Sequence, residues 1–254
     1  CLLLDIVHYS GVDNLHYNTV TLPISLSILS AIAYWSESDD LSLPMRVSLF
    51  LIVAVNLAGL LNLFGRSPFI FITAVVIGSY ILKQKKYTQK VIYAVKASVY
   101  SFVLFLISIF AISRLDIGIN FYAFNRIGAL LESGDSRTEI YKESLMFISE
   151  NPFGYGLGAY EQMSNLSPYP HNIILEVGVA SGLLGVILIT SLLLYYFNRV
   201  LVYYHKVDKR IAMQSAYIST YLILTFMVSY SITSSYMLFV SLCMSTAIPL
   251  RNAK

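Results

Sequence analysis

The chain has 254 residues, of which 57% are apolar and 12% are charged, and its formal net charge is +3. Soluble domains carry about 25% charged residues, so this composition excludes an ordinary water-soluble domain. The basic residues lie in short segments between apolar runs, and this distribution argues against a nucleic-acid-binding surface. The 2 cysteines form no disulfide framework or metal-binding spacing.

Long continuous apolar runs predict an all-α, polytopic transmembrane helical bundle. Runs of about 20 residues span a bilayer as helices, and a helix satisfies its own backbone in lipid. Seven segments fit this pattern, with the approximate bounds Val20–Trp35, Met45–Phe64, Pro68–Leu82, Val91–Ser113, Ile173–Val200, Ile211–Tyr230 and Tyr236–Leu250. Residues 1–254 are predicted to form a single integral membrane domain. Because the chain begins at Cys1 rather than Met, we expect that it lacks N-terminal spans of a longer protein.

Lys and Arg residues predict the orientation, because they are retained in short cytoplasmic loops. They fill the segments 83–90 and 199–210 and close the chain at Lys254, and with seven spans these three places lie on one side. That side is predicted to be the cytoplasm. The long segment 114–171 then lies on the outer, periplasmic side, and its length predicts a folded, functional segment rather than a simple connection.

The outer segment contains a predicted amphipathic helix. Ser136-Arg137-Thr138-Glu139 has the form of a capping box, in which the Ser and Glu side chains bond the first free N–H groups of a helix. Apolar residues follow at helical spacing until Pro152, so a helix is predicted from about Arg137 to Glu150. Arg137 lies in its first turn, where free backbone N–H groups favour an anion. The alternative is a solvated arginine on a surface helix.

Glycines are grouped in two places. Residues 154–159 read GYGLGA, which formally contains the G-x-G-x-x-A pattern of a dinucleotide-binding loop. That motif needs a preceding strand, whereas a helix is predicted here, so these glycines are predicted to allow a tight turn or a close backbone approach. Gly178 and Gly182 form G-x-x-x-G in the fifth predicted span, a pattern typical of close helix packing.

Three ionisable residues stand near the predicted outer ends of spans. Arg66 precedes a helix start in which Ser67 is the predicted N-cap and Pro68 the first helical residue; alone, it fits an ordinary interfacial arginine equally well. His171 precedes the fifth span, where a lone histidine is usually a capping or interfacial residue. Glu176 lies about one turn into that span and is predicted to face the protein interior, because ionisable groups are costly in lipid.

The stretch from Arg137 to Gly185 resembles the O-antigen ligase and O-antigen polymerase family of bacterial membrane glycosyltransferases. The matching residues are Arg137, Asn151-Pro152-Phe153-Gly154-Tyr155-Gly156, His171-Asn172, Leu175, Gly182 and Gly185. Gly65-Arg66-Ser67 resembles the family's arginine corner at the outer end of an earlier span. The chain departs from the pattern at Ala180, where many relatives carry a glutamate.

The resemblance implies a metal-independent, inverting glycosyltransferase that uses no cofactor. The donor would be an undecaprenyl-diphosphate-linked glycan. The acceptor would be either a lipid A core sugar or another lipid-linked glycan, so ligase and polymerase remain open. The reaction would take place in contact with membrane lipid, on the periplasmic face of the bacterial inner (cytoplasmic) membrane.

The candidate residues suit this chemistry. Arg66 and Arg137 are predicted to bind the diphosphate, because the fixed donors of a guanidinium match phosphate oxygens. His171 is predicted to be the general base, because its pKa lies near the working pH. The alternatives are a transporter or flippase of polyisoprenoid-linked glycans and a non-catalytic scaffold. A transporter would show paired repeats and ionisable residues near mid-bilayer, and the sequence shows neither.

Overall fold

A computed structural model gives the fold and describes residues 17–38, 40–61, 67–83, 137–203 and 209–251. Within these ranges the regular structure is helical and contains no strand, which confirms the all-α prediction for this part of the chain. The predicted span Val91–Ser113, the first part of the outer segment, Arg66 and Ser136 lie outside the described residues.

The described helices follow the predicted segments closely. Their bounds are α1 Tyr17–Ser36, α2 Leu43–Leu61, α3 Ser67–Lys83, α4 Arg137–Glu150, α5 Ala159–Met163, α6 Ile173–Tyr203, α7 Lys209–Phe226 and α8 Tyr236–Arg251, with a 3₁₀ turn at Ile232–Ser234 before α8. The helix predicted from about Arg137 to Glu150 is confirmed as α4. The α5 helix was not predicted.

Helix α7 lies at the centre of the described structure. Its residues Met213 and Tyr221 are buried in one apolar cluster with α1, α2 and α3. The next residue after Tyr221, Leu222, is buried in a second cluster with α6 and α8, together with Phe226. Because α7 buries two opposite faces, it joins the first three helices to the part of the chain that carries the candidate site.

Two of the described helices are long and apolar enough to cross a membrane, over Leu43–Leu60 in α2 and Ile173–Arg199 in α6. Only 11% of the first window and 39% of the second are buried within the protein. The core helix of a soluble protein would be mostly buried, so these exposed apolar surfaces favour contact with lipid. Shorter apolar helices cover Val20–Ser36, Ser67–Ser79 and Tyr236–Ser245. The number of membrane crossings and their orientation stay predictions.

Candidate functional site

A loop between α4 and α5, Asn151–Gly158, is called here the docking loop. The side chain of Asn151 shapes its first turn by donating from Nδ2 to the Gly154 carbonyl oxygen (2.7 Å) and by accepting at Oδ1 from the Phe153 N–H (3.2 Å). The backbone N–H of Asn151 still donates to the carbonyl oxygen of Phe147, at the end of α4. The loop therefore leaves the helix in a turn that the Asn151 side chain stabilises. Asparagine side chains commonly stabilise turns through hydrogen bonds to the nearby backbone.

The docking loop binds to α6 where that helix is interrupted. Gly182 has φ 64° and ψ −159°, which is not a helical conformation. Three hydrogen bonds between main-chain atoms join the two segments: Tyr155 N–H to the Val179 carbonyl (2.8 Å), Gly156 N–H to the Ala180 carbonyl (2.9 Å) and Leu183 N–H to the Pro152 carbonyl (2.9 Å). Backbone groups that the interrupted helix cannot pair internally are thus satisfied by the loop.

Glycine is needed on both sides of this contact. A Cβ on Gly182 would lie 2.0 Å from the Pro152 carbonyl oxygen, and one on Gly154 would lie 2.5 Å from the Gly182 nitrogen. This confirms a close backbone approach at Gly154. The prediction that Gly178 and Gly182 both serve helix packing holds only at Gly178, which faces the Ile148 side chain of α4. At Gly182 it is wrong, because the residue breaks the helix and contacts a loop.

Helix α5 is fixed to α4 by a carboxylate. Oε2 of Glu143 accepts hydrogen bonds from the Tyr160 hydroxyl (2.9 Å) and the Ser164 hydroxyl (2.5 Å). The Tyr160 ring is buried and meets Phe147 edge to face, with 6.1 Å between centroids. Burial raises the pKa of Tyr160; its contact with Ser164 lowers that pKa and Glu143 raises it further. Tyr160 therefore stays protonated at neutral pH and remains a donor to Glu143.

His171 stands immediately before α6 in a left-handed conformation, with φ 56°. Its Nε2 lies 3.2 Å from the Ser167 hydroxyl oxygen, and its ring centroid lies 4.3 Å from that of Tyr169. The Ser167 hydroxyl donates its one proton to the Tyr169 carbonyl oxygen (2.9 Å). Ser167 can then accept from Nε2–H, and in that tautomer Nδ1 is the basic nitrogen of a neutral His171 ring.

Asn172 fixes the start of α6 against the end of α7. Its Oδ1 accepts from the backbone N–H groups of Ile174 (3.0 Å) and Leu175 (3.2 Å), which makes it the N-cap of the helix. Its Nδ2 donates to the Met227 carbonyl oxygen (3.0 Å). One side chain therefore positions His171 next to it by closing the helix end and by tying that end to a neighbouring element.

Glu176 makes a comparable contact one turn further along α6. Its Oε2 accepts from the Ile232 backbone N–H (2.8 Å), in the turn that precedes α8. The side chain is half-buried and faces the protein, as expected for an ionisable residue near the end of an apolar helix. The start of α6, the end of α7 and the start of α8 are thus held together at one end of the bundle.

A cavity of about 510 Å³ opens at this end of the bundle. Its walls come from the docking loop and α5, from the turn before His171, from the first two turns of α6 and from the segment 231–233. The side chains that give the walls their polar character are Tyr160, Glu161, Tyr169, Glu176, Ser231 and Thr233. The volume lies within the range of about 300–1,000 Å³ that is usual for small-molecule sites.

The structure places two of the three predicted site residues. Arg137 is the half-buried first residue of α4. His171 precedes α6, and α4 packs on α6 where Ile148 meets Gly178. Arg66 lies outside the described residues. Among the residues that the structure does describe, no three His, Cys, Asp or Glu side chains are grouped as a metal site would need.

Sequence reasoning missed several residues that build the site. Ser167 and Tyr169, four and two positions before His171, orient its ring, and a spacing so short could have been noticed in the sequence. The segment 231–233 could not, because it reaches the cavity from more than 50 residues further along the chain. Glu143 was not singled out in the sequence, although its carboxylate holds α5.

Comparison with known proteins adds one finding. Residues 47–190 match a family model described as O-antigen ligase. This range covers more than half of the chain and includes Arg66, Arg137 and His171. No curated protein matches the chain.

Proposed function

The chain belongs to the O-antigen ligase family, and from that premise we propose that it is a membrane glycosyltransferase that moves a glycan from undecaprenyl diphosphate to a sugar hydroxyl. The family and the apolar helices together indicate a membrane protein. Donor, acceptor, the inverting course of the reaction and its location on the periplasmic face of the bacterial inner membrane are parts of this proposal.

The observation that carries the proposal is the setting of His171. Ser167 and Tyr169 orient its ring, Asn172 fixes the helix that follows it, and Tyr169 also lines the cavity. With Nε2–H directed at Ser167, Nδ1 is the nitrogen that takes a proton. A general base must have its basic atom held near the group that it deprotonates. The His171 ring is held in place by its neighbours, and one of them, Tyr169, lines the cavity.

In the proposed reaction an acceptor hydroxyl oxygen attacks the anomeric carbon of the donor glycan. Its proton passes to Nδ1 of His171, the new glycosidic C–O bond forms, and the bond from the anomeric carbon to the diphosphate breaks. Attack opposite the leaving group inverts the anomeric configuration. Because diphosphate is already a good leaving group, we expect the transfer to proceed without a metal ion, a cofactor or a nucleotide sugar.

Arg137 and Arg66 are our candidates for binding the diphosphate. Arg137 begins a helix of 14 residues, so it belongs to the turn whose backbone N–H groups have no partner within the helix. Both kinds of donor favour phosphate oxygens, and the guanidinium can bind two of them at once. The assignment of Arg66 rests on the family pattern alone.

The test is turnover and donor binding in the His171→Ala protein. The full-length protein in lipid nanodiscs would receive an undecaprenyl-diphosphate-linked oligosaccharide, with either lipid A core or further donor as acceptor. Positioned proton transfer contributes about 10²–10⁴-fold, so turnover should fall by that factor while donor affinity stays nearly unchanged. His205→Ala, in a predicted cytoplasmic loop, is the matched control and should keep full activity.

Two results would overturn the catalytic assignment. A collapse of donor affinity together with turnover would make His171 a binding or structural residue. Unchanged turnover would remove it from the reaction. The acceptor that is consumed separates a ligase, which extends lipid A core, from a polymerase, which lengthens the lipid-linked glycan.

A flippase of polyisoprenoid-linked glycans is the second candidate, and the interruption of α6 at Gly182 is the observation that favours it. Transporters often use broken helices whose free backbone groups line the substrate path. Here backbone groups on both sides of the break are bonded to the docking loop instead, which favours the transferase. Movement of lipid-linked glycan across a proteoliposome membrane, without any new glycosidic bond, would support the flippase.

A further inference from the structure

We infer that the cavity beside His171 is a subsite for an uncharged, hydroxyl-rich sugar, and that this sugar is the terminal unit of the acceptor. The inference rests on the proposed function, since it assigns the substrate that the base would deprotonate. It adds a binding surface made by α5, by the first turns of α6 and by the segment 231–233. Neither Arg137 nor His171, the two predicted site residues that the structure describes, lines this surface.

The cavity walls offer the groups that bind sugar hydroxyls. Glu176 bonds the Ile232 N–H through Oε2 alone, and its Oε1 has no hydrogen-bond partner among the described residues. The hydroxyls of Ser231 and Thr233, which are hydrogen-bonded to each other, belong to residues of the same wall, and Glu161 of α5 also lines the cavity. Carboxylate oxygens accept hydrogen bonds from hydroxyl groups, and serine and threonine both donate and accept. Tyr169 adds an aromatic ring, whose face suits the apolar C–H side of a pyranose.

The charge of the walls separates this subsite from the diphosphate. Two carboxyl groups, those of Glu161 and Glu176, line the cavity, and none of the described lining residues is a lysine or an arginine. A diphosphate placed here would meet like charge at Glu161, with no cation among the described lining residues to offset it, which is unfavourable. Arg137, the described residue proposed to bind the diphosphate, begins a different helix and does not line the cavity. The cavity therefore fits the neutral portion of a substrate.

Its position relative to His171 favours the acceptor over the donor glycan. Tyr169 contributes both to the cavity wall and to the tilted ring contact that orients the His171 ring. A sugar bound against Tyr169 would present a hydroxyl toward the residue proposed to deprotonate it. The donor must instead place its anomeric carbon next to a diphosphate, which the Glu161 carboxyl group and the lack of a lysine or arginine among the described lining residues disfavour in the cavity itself.

Binding can be tested without relying on activity. Methyl glycosides of glucose, galactose and N-acetylglucosamine serve as probes, and saturation-transfer NMR on the full-length protein in nanodiscs detects those that bind. Thr233→Trp should fill the cavity and abolish the saturation-transfer signal of the probes, because Thr233 is exposed and lines the cavity. Leu157→Trp, which should block the same cavity from the side of the docking loop, is a second variant in case the first misfolds. Leu166→Trp, exposed but outside the lining, is the matched control and should keep the signal.

Kinetics identify the source of the sugar. The acceptor KM of Thr233→Trp should rise about tenfold or more, as expected for the loss of one or two hydrogen bonds, with the donor KM unchanged. A rise in the donor KM instead would overturn the acceptor assignment. If no probe binds, or if both Trp variants bind sugar normally, the subsite is refuted even where His171→Ala behaves as proposed. A third outcome is that the Trp variants abolish sugar binding but the protein transfers no lipid-linked glycan. That result would refute the proposed function, whereas the sugar-binding site would stand.

Discussion

Replacing Gly182 by alanine tests the contact between the docking loop and α6 directly. The conformation of Gly182, φ 64° and ψ −159°, belongs to a region that only glycine adopts readily, and residues held in such regions cost about 1–3 kcal/mol. The added Cβ would also lie 2.0 Å from the Pro152 carbonyl oxygen, so the loop must move. Each main-chain hydrogen bond lost contributes about 0.5–1.5 kcal/mol. With one or two of the three bonds lost, the free energy of unfolding should fall by about 1.5–6 kcal/mol.

The assay combines denaturation with hydrogen exchange. Unfolding of the purified protein in mild detergent, titrated with a denaturing detergent, gives the change in stability. Exchange of the Tyr155, Gly156 and Leu183 amides reports the loop contact itself, because these three N–H groups donate across it. All three should exchange faster in Gly182→Ala, whereas amides in the interior of α7 should keep their protection until global unfolding.

Two other glycines serve as graded controls. Gly156 also has a positive φ, 99°, but a Cβ there would meet no atom within 4 Å, so Gly156→Ala should show backbone strain without displacement of Pro152. Gly78, within α3, has neither a positive φ nor a close neighbour, and alanine there should stabilise the helix by about 0.5–1 kcal/mol. Equal stability and equal amide protection in Gly182→Ala and Gly78→Ala would refute the reasoning.

Three further substitutions probe the site. Asn172→Ala removes a helix cap and the bond to Met227, so stability should fall by about 1–3 kcal/mol in the same denaturation assay. Glu143→Ala leaves the Tyr160 hydroxyl without its acceptor and should cost about 1–3 kcal/mol, with earlier proteolysis within α5. Arg137→Lys keeps the charge but loses the two-donor geometry, so transfer should fall about ten- to a hundredfold while the protein still inserts and folds.

Each of these has a matched control. Asn172→Asp keeps the capping oxygen and loses only the donor to Met227, so a loss as large as that in the alanine variant would contradict the capping role. Glu150→Ala removes an exposed carboxylate from the same helix as Glu143 and should leave stability nearly unchanged. Lys142→Ala removes an exposed charge from that helix; if it slows transfer as much as Arg137→Lys, general charge rather than geometry is responsible.

The parts of the fold that local chemistry determines were predictable. The apolar runs placed α1, α2, α3, α6, α7 and α8 to within a few residues. The bounds of α4 followed from a polar start at Arg137 and from Pro152 and Gly154 beyond its end. These are properties of neighbouring residues, and propensity and capping act over the same short distances.

The interruption of α6 was not predictable in this way. The sequence around Gly182 is apolar apart from Ser181, and nothing local distinguishes a glycine that packs a helix from one that breaks it. The difference comes from Pro152, 30 residues earlier, whose carbonyl occupies the place of a side chain. The cavity depends likewise on the segment 231–233, so the sequence analysis singled out only His171, Asn172 and Glu176 from this part of the site.

The docking loop is attached to α6 through main-chain atoms. Its position therefore depends little on which side chains it carries at exposed positions. Phe153 is 92% exposed and Leu157 is 78% exposed, although the peptide groups between them are bonded to the helix. A substitution at either position leaves those hydrogen bonds in place, since every residue except proline supplies the same N–H and C=O. The rim of the site can therefore accumulate new side chains, and with them new preferences for the molecules that reach it, at little cost to folding. Libraries that randomise Phe153 and Leu157 but keep Gly154 and Gly182 are the natural starting point for altering selectivity.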